Sequence, residues 1–152
     1  YYATFFAGLP TPQWQPHSFH IGRYPMGREA TLSFPVLDVR AVNDTAGWLL
    51  VRASHTPTSV TVALYGVPRW SEVRAVHGEP SDPRPFPTEM RPAPDLPPGQ
   101  ERVLQPGGDG FTVEVARELV PPDGGPPVVE RTTTVYRPQT RIVEVGVDAV
   151  PG

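Results

Sequence analysis

Two histidines, two arginines and a tyrosine fall within a dozen residues, at His17, His20, Arg23, Tyr24 and Arg28. An imidazole titrates close to neutral pH and can act as a general base. Phe19 and Ile21 alternate against Ser18, His20 and Gly22, which predicts a strand beginning at His17. On such a strand His17 shares the apolar face and points toward a core or a cleft wall. His20 points the other way, beside Ser18, as a surface histidine. The plain alternative for His17 is a structural ring bonded to a backbone carbonyl. Opposite faces also argue against a metal site built from the two, and the chain has no cysteine to complete one. No metal and no cofactor is expected.

The run Arg23-Tyr24-Pro25-Met26-Gly27-Arg28 reads as a tight turn with a guanidinium on each side of an aromatic ring. Arginine forks match carboxylates and phosphates, and a tyrosine face matches a sugar ring. Arg23, Tyr24 and Arg28 are therefore the ligand-binding candidates. A turn held by its Pro and Gly, with solvated arginines, is the competing reading. Asp38 and Arg40 lie two residues apart on a strand face. They form either a half-exposed charge ladder with Arg28 or Glu29, contributing about 0.2–1 kcal/mol, or a site in which Asp38 orients His17. Asn43-Asp44-Thr45 reads as a turn whose side chains bond their own backbone.

The elements that must position these groups are mostly strands. Tyr1 to Ala7 reads as the last turns of a buried helix, capped by Gly8 and stopped by Pro10. Period-two alternation predicts strands at Ala30-Leu32-Phe34 and Leu37-Val39-Ala41. A hairpin is expected over Trp48–His55 and Thr58–Tyr65, turning at Thr56-Pro57. Val73, Ala75 and His77 suggest one strand more. Gly78 to Gly99 is Pro-dense and aperiodic, and reads as a protease-sensitive linker or a loop strapped over the surface. Beyond it, Phe111-Val113-Val115, Val129-Arg131-Thr133-Val135 and Val143-Val145-Val147 suggest a small three-stranded sheet with one apolar face, the first two joined at Asp123-Gly124-Gly125. Gly107-Gly108-Asp109-Gly110 is a turn and not a phosphate loop, because no helix pattern and no Lys-Ser/Thr pair follows. Trp14, Trp48 and Trp70 are too scattered to define an aromatic platform and read as packing residues. The fold class is mainly β: antiparallel sheets with one short N-terminal helix remnant and a small β-rich C-terminal extension. The expected division is 1–77, a Pro-rich linker or surface loop over 78–100, and 101–152.

Composition excludes several functions. The net charge is −3, with 13 basic residues, all arginine, and no basic stripe, so there is no electrostatic case for nucleic acid. No stretch reaches the roughly 20 apolar residues of a spanning helix. The absence of cysteine rules out disulfides within the chain and leaves the redox compartment open. The chain opens on Tyr rather than Met, inside an apolar helical run too short to stand alone, so a start within a longer protein is expected.

The helix end YYATFFAGL, the run HSFHIGRYPMGREATLSFPVLDVRAVNDT and the hairpin WLLVRASHTPTSVTVALYG together resemble the VanW-like family of bacterial cell-surface proteins. The resemblance covers Tyr1 to about Gly66, and more loosely Gly107 to Gly146, where GGDGFTVEVARELV and TTTVYRPQTRIVEVG look like the usual C-terminal extension of that family. The family's signature opens with a Gly-Gly-Val-Cys-Gln or Gly-Gly-Val-Ser-Gln turn that starts a helix. This chain begins inside the helix and lacks that turn. The resemblance implies an extracellular or cell-surface location and association with peptidoglycan or its precursors, which offer both carboxylates and sugars to Arg23, Tyr24 and Arg28.

A competing class is an amide or peptide hydrolase or transferase whose Cys or Ser lies upstream of this chain, with His17 as base and Asp38 as orienter. A helix-borne nucleophile followed by a strand-borne histidine is an order similar to transglutaminase- and papain-type hydrolases. On that reading the chain alone is inactive. A third class is a structural extracellular adhesion module.

Overall fold

A short helix ends where the sequence says it must. The computed structural model describes residues 1–147, and its helix α1 spans Tyr2–Phe6. Gly8 follows at φ 68°, in the left-handed region, and a Cβ there would run into the Trp70 indole. The Trp70 Nε1–H donates to the Gly8 carbonyl at 3.3 Å, tying the helix end to a residue far along the chain. Phe5 and Leu9 are buried, with 4% and 2% of their surfaces exposed.

The strands are β1 Leu49–His55, β2 Val60–Gly66, β3 Glu72–His77, β4 Ser81–Arg84, β5 Thr88–Ala93, β6 Glu101–Gly108, β7 Gly110–Val120, β8 Val128–Tyr136 and β9 Gln139–Gly146. The chain is mainly β, as its alternation predicts. It divides into two compact units. One comprises residues 1–17, 22–79 and 113–134, and the other residues 18–21, 80–112 and those from 135 onward.

In the first unit, β1 and β2 form the expected antiparallel hairpin, in register from Leu49 opposite Gly66 to His55 opposite Val60. Its turn is closed by Thr56 N–H to the Ser59 carbonyl at 2.9 Å and by Ser59 N–H to the Thr56 hydroxyl at 3.0 Å. β3 runs antiparallel to β7, from Glu72 opposite Val120 to His77 opposite Val115. β7 also pairs with β8. Val115, Ala116 and Arg117 are buried in succession, so both faces of this part of β7 are covered.

In the second unit, β9 lies between β5 and β6. β6 pairs with it antiparallel, with a register shift between Val103 and Gln105. β5 pairs with it in parallel, from Thr88 opposite Arg141 to Ala93 opposite Gly146. Parallel neighbours need a long crossover, and residues 94–138 supply it. Tyr136, Ala93 and Val143 form the buried centre.

Several expectations are corrected here. Residues 17–45 hold no strand: the alternating segments meet the chain in single bridges, Gln13 with Arg40 and Ser33 with Leu37. Thr31 N–H donates to Gln15, Arg40 N–H to Gln13 and Val42 N–H to Pro10, each bonding the extended segment at 10–15 singly instead of building a ladder. Leu32 and Phe34, expected to face inward, are 67% and 92% exposed. On β8 the expected apolar face is inverted: Val129 and Val135 are exposed while Thr134 and Tyr136 are buried. The three C-terminal strands do not form one sheet, because β9 takes β5 and β6 as partners and Val147 falls past its end. The Asp123-Gly124-Gly125 turn stands between β7 and β8, with Gly124 at φ 77°.

The Pro-dense stretch 78–100, read as linker or surface loop, contributes β4 and β5. Its prolines break the period-two pattern without preventing pairing, since Pro92 sits in β5 opposite Val145 and needs to donate nothing. This reverses the expected protease sensitivity. Thermolysin cleavage at Glu89–Met90 is expected to be slow in the native protein and fast only beyond its melting transition. Rapid native cleavage at that bond, followed by mass analysis, would show β5 to be poorly anchored.

No described helix is long and apolar enough to cross a membrane.

Candidate functional site

The Arg23–Arg28 turn is built by its Pro and Gly. Arg28 N–H donates to the Pro25 carbonyl at 3.1 Å, closing the turn. Gly27 adopts φ 66°, and a Cβ there would come within 2.8 Å of the Val115 side chain. Only glycine therefore permits this approach. The turn places Tyr24 flat against His17, with ring centroids 5.4 Å apart and planes 16° apart. The Arg23 guanidinium lies 5.0 Å from the centre of the same tyrosine ring.

Arg28 turns toward α1. Its guanidinium sits 5.3 Å from the Tyr2 ring centre and 5.6 Å from that of Phe6. These two rings are one helical turn apart and 4.9 Å from each other, so the helix offers Arg28 one continuous aromatic face. A hollow of about 560 Å³ opens here, lined by Tyr1, Tyr2, His17, Tyr24, Pro25, Arg28, Glu29, Ala30, Leu32 and Val39. Two nitrogens of its lining residues, His17 Nδ1 and Arg28 Nε, are buried and have no hydrogen-bond partner among the described residues. Leaving such atoms unpaired is costly. Glu29 is buried as well, at 8% exposure.

The structure thus gathers His17, Tyr24 and Arg28 into one hollow, with Arg23 against the tyrosine. It does not bring Asp38 to them. The Asp38 carboxylate accepts from the Gln13 amide and, at 3.1 Å, from Arg40 Nε. The ladder reading was right about charge pairing and wrong about the partner. His20 is not a free surface ring: it lies edge-on to Phe111 and to Tyr136, each 5.4 Å away. Asn43 behaves as the turn residue expected, its amide donating to the Gly47 carbonyl at 2.9 Å and its oxygen accepting from the Thr45 hydroxyl at 2.7 Å. Tyr1, Tyr2 and Glu29 belong to the hollow and escaped the sequence reading. Their only signal was the four-residue spacing of Tyr2 and Phe6, which also fits plain packing.

A second hollow, of about 410 Å³, includes Tyr1 in its lining as well, together with Trp14, Arg117, Glu130, Thr11 and Thr132. Tyr1 and Trp14 stack with centroids 4.1 Å apart and planes 12° apart. Burial pushes the Tyr1 phenol above its ordinary pKa; Arg117 opposes that shift, while Glu130 and Glu29 add to it. Among the described residues, no group of three or more His, Cys, Asp or Glu is placed to hold a metal ion.

Residues 1–65 match the family model described as VanW like protein, and residues 79–148 match the G5 domain. Among solved structures, the chain is similar to one titled "IgA1 Protease G5 domain structure", at 24% identity and a TM-score of 0.32, covering 70% of this chain and 98% of that one. It is also similar to "Crystal structure of HP0197-G5", at 29% identity and a TM-score of 0.27, covering 49% of this chain and 93% of that one. No curated protein matches the chain.

Proposed function

We propose that this chain, VanW-like over residues 1–65 and matched to the G5 domain over residues 79–148, is a segment of a bacterial cell-surface protein that binds peptidoglycan or its precursors in the hollow around Arg28. Both kinds of segment are typical of cell-surface proteins, which supports the location. The observation that carries the binding reading is the Arg28 Nε, buried in the wall of an open hollow with no hydrogen-bond partner among the described residues. A guanidinium there is completed by a carboxylate, which a wall stem peptide carries. The Tyr1, Tyr2 and Tyr24 side chains add flat apolar surface of the kind that sugar rings pack on.

A second reading, an amide hydrolase or transferase completed by a nucleophile upstream of Tyr1, is favoured by one observation: the unpartnered Nδ1 of His17 in the same hollow. Asp38, held by Gln13 and Arg40, gives that reading no support.

Retention on insoluble peptidoglycan tests the binding reading. Arg28→Ala should weaken retention about tenfold or more, since a desolvated charge-assisted contact contributes roughly 1.5–3 kcal/mol. Arg23→Ala should weaken it less, because Arg23 reaches the hollow only by covering Tyr24. Higher salt should reduce both effects insofar as the contacts are exposed. Asn43→Ala is the control, expected to spare binding in the folded fraction. Wild-type retention by Arg28→Ala removes the site.

A further inference from the structure

We infer that the Arg28 hollow and the Trp14 hollow, both of which take Tyr1 into their linings, are consecutive subsites for one glycan strand, so that the protein recognises a chain longer than one repeat and not an isolated end. This rests on the wall-binding reading and adds to it a second subsite of different chemistry. Tyr1 is common to both linings. On the Trp14 side the Tyr1 ring stacks on the indole, with centroids 4.1 Å apart and planes 12° apart.

The two subsites differ in what they can hold. The Arg28 hollow offers a guanidinium and an imidazole and suits an acidic substituent. In the Trp14 hollow the Arg117 guanidinium is already taken up: Nη1 donates to the Phe5 and Leu9 carbonyls at 3.2 and 3.1 Å, while Nε and Nη2 bond one oxygen of Glu130. The other Glu130 oxygen is left as an acceptor on a side chain that is half exposed. An acceptor and a threonine hydroxyl beside an indole face match a neutral, hydroxyl-bearing sugar. An alternating glycan in which only some units carry acidic peptides presents these two chemistries in sequence.

Titration calorimetry with two soluble wall fragments, a disaccharide-peptide and the tetrasaccharide containing it, tests this on the chain as it stands. The tetrasaccharide should bind about tenfold more tightly, a difference of about 1.4 kcal/mol. Thr132→Phe, which fills the Trp14 hollow from β8, should abolish that gain. Arg28→Ala should weaken both ligands. Trp14→Phe, which keeps a ring against Tyr1 and shortens the platform, should reduce the gain if Thr132→Phe does not fold. Equal affinity for the two fragments, or a gain that survives the Trp14 and Thr132 variants, overturns the second subsite while the wall-binding reading stands. No binding of either fragment overturns the wall-binding reading and this inference with it.

Discussion

Phe5→Ala is expected to cost about 3–5 kcal/mol, the usual range for emptying a buried phenylalanine site. Phe5 is 4% exposed and lies edge-on to Tyr1 at 6.2 Å and to Phe6 at 5.2 Å. The Arg117 guanidinium stands 5.4 Å from its ring centre. A five-residue helix has no stability of its own, so its attachment depends on this side chain. For a chain of this size the melting temperature should fall by about 10 °C. Phe34→Ala is the matched control: Phe34 is 92% exposed, and its loss should leave the transition in place. Calorimetry showing no shift for Phe5→Ala would mean that α1 is not packed as described.

Arg117→Ala should be nearly as damaging, for a different reason. Arg117 is a buried charge in β7 that accounts for three acceptors at once: the Phe5 and Leu9 carbonyls at the end of α1, and the Glu130 carboxylate on β8. Truncation removes two charge-assisted hydrogen bonds, at roughly 1.5–3 kcal/mol each, and leaves the Phe5 carbonyl with only Gly8 N–H at 3.1 Å and the Leu9 carbonyl with only the Thr11 hydroxyl at 3.3 Å. Glu130 adds less, because it is half exposed and water can replace its partner. The expected loss is about 3 kcal/mol by urea denaturation. Arg117→Met restores much of the side-chain volume and none of the donors. It should therefore remain clearly destabilised, and wild-type stability for Arg117→Met would show that packing alone matters at this position.

The elements most legible in the sequence were those with both a period and a punctuating residue. α1 has Gly8 and Pro10 behind it, and the β1–β2 hairpin has Thr56-Pro57 between two alternating runs. β7 announces itself by Val113 and Val115. Where alternation stood alone it misled. The Phe19-Ile21, Leu32-Phe34 and Leu37-Val39 runs look like strands, yet the first joins no ladder and the backbone donors around the other two go singly to residues 10–15 or into turns, and period two says nothing about where a partner lies. β5 fails in the opposite sense: Thr88–Ala93 carries no alternation, and its conformation comes from Val143 and its neighbours on β9, a non-local pairing.

The site followed the same division. His17, Tyr24 and Arg28 were legible because a tight turn brings near neighbours in sequence together. Tyr1, Tyr2 and Glu29 were not, since only the docking of α1 on the turn makes them walls of the same hollow. Asp38 seemed suited to His17 by an assumed strand pairing that does not exist, and Gln13 and Arg40 hold it instead.

The central claim is that the hollow around Arg28 receives a wall fragment. Nuclear magnetic resonance of the protein titrated with a soluble disaccharide-peptide tests it most directly. The claim predicts saturable shifts of the His17 imidazole, the Tyr24 ring and the Arg28 Nε–H, with the Arg28 signal sharpening as its proton gains a bond. These shifts should vanish in Arg28→Ala while the Asn43 turn resonances stay still in both proteins. Saturable binding that moves other residues and leaves His17, Tyr24 and Arg28 unchanged would contradict it, as would no binding at all.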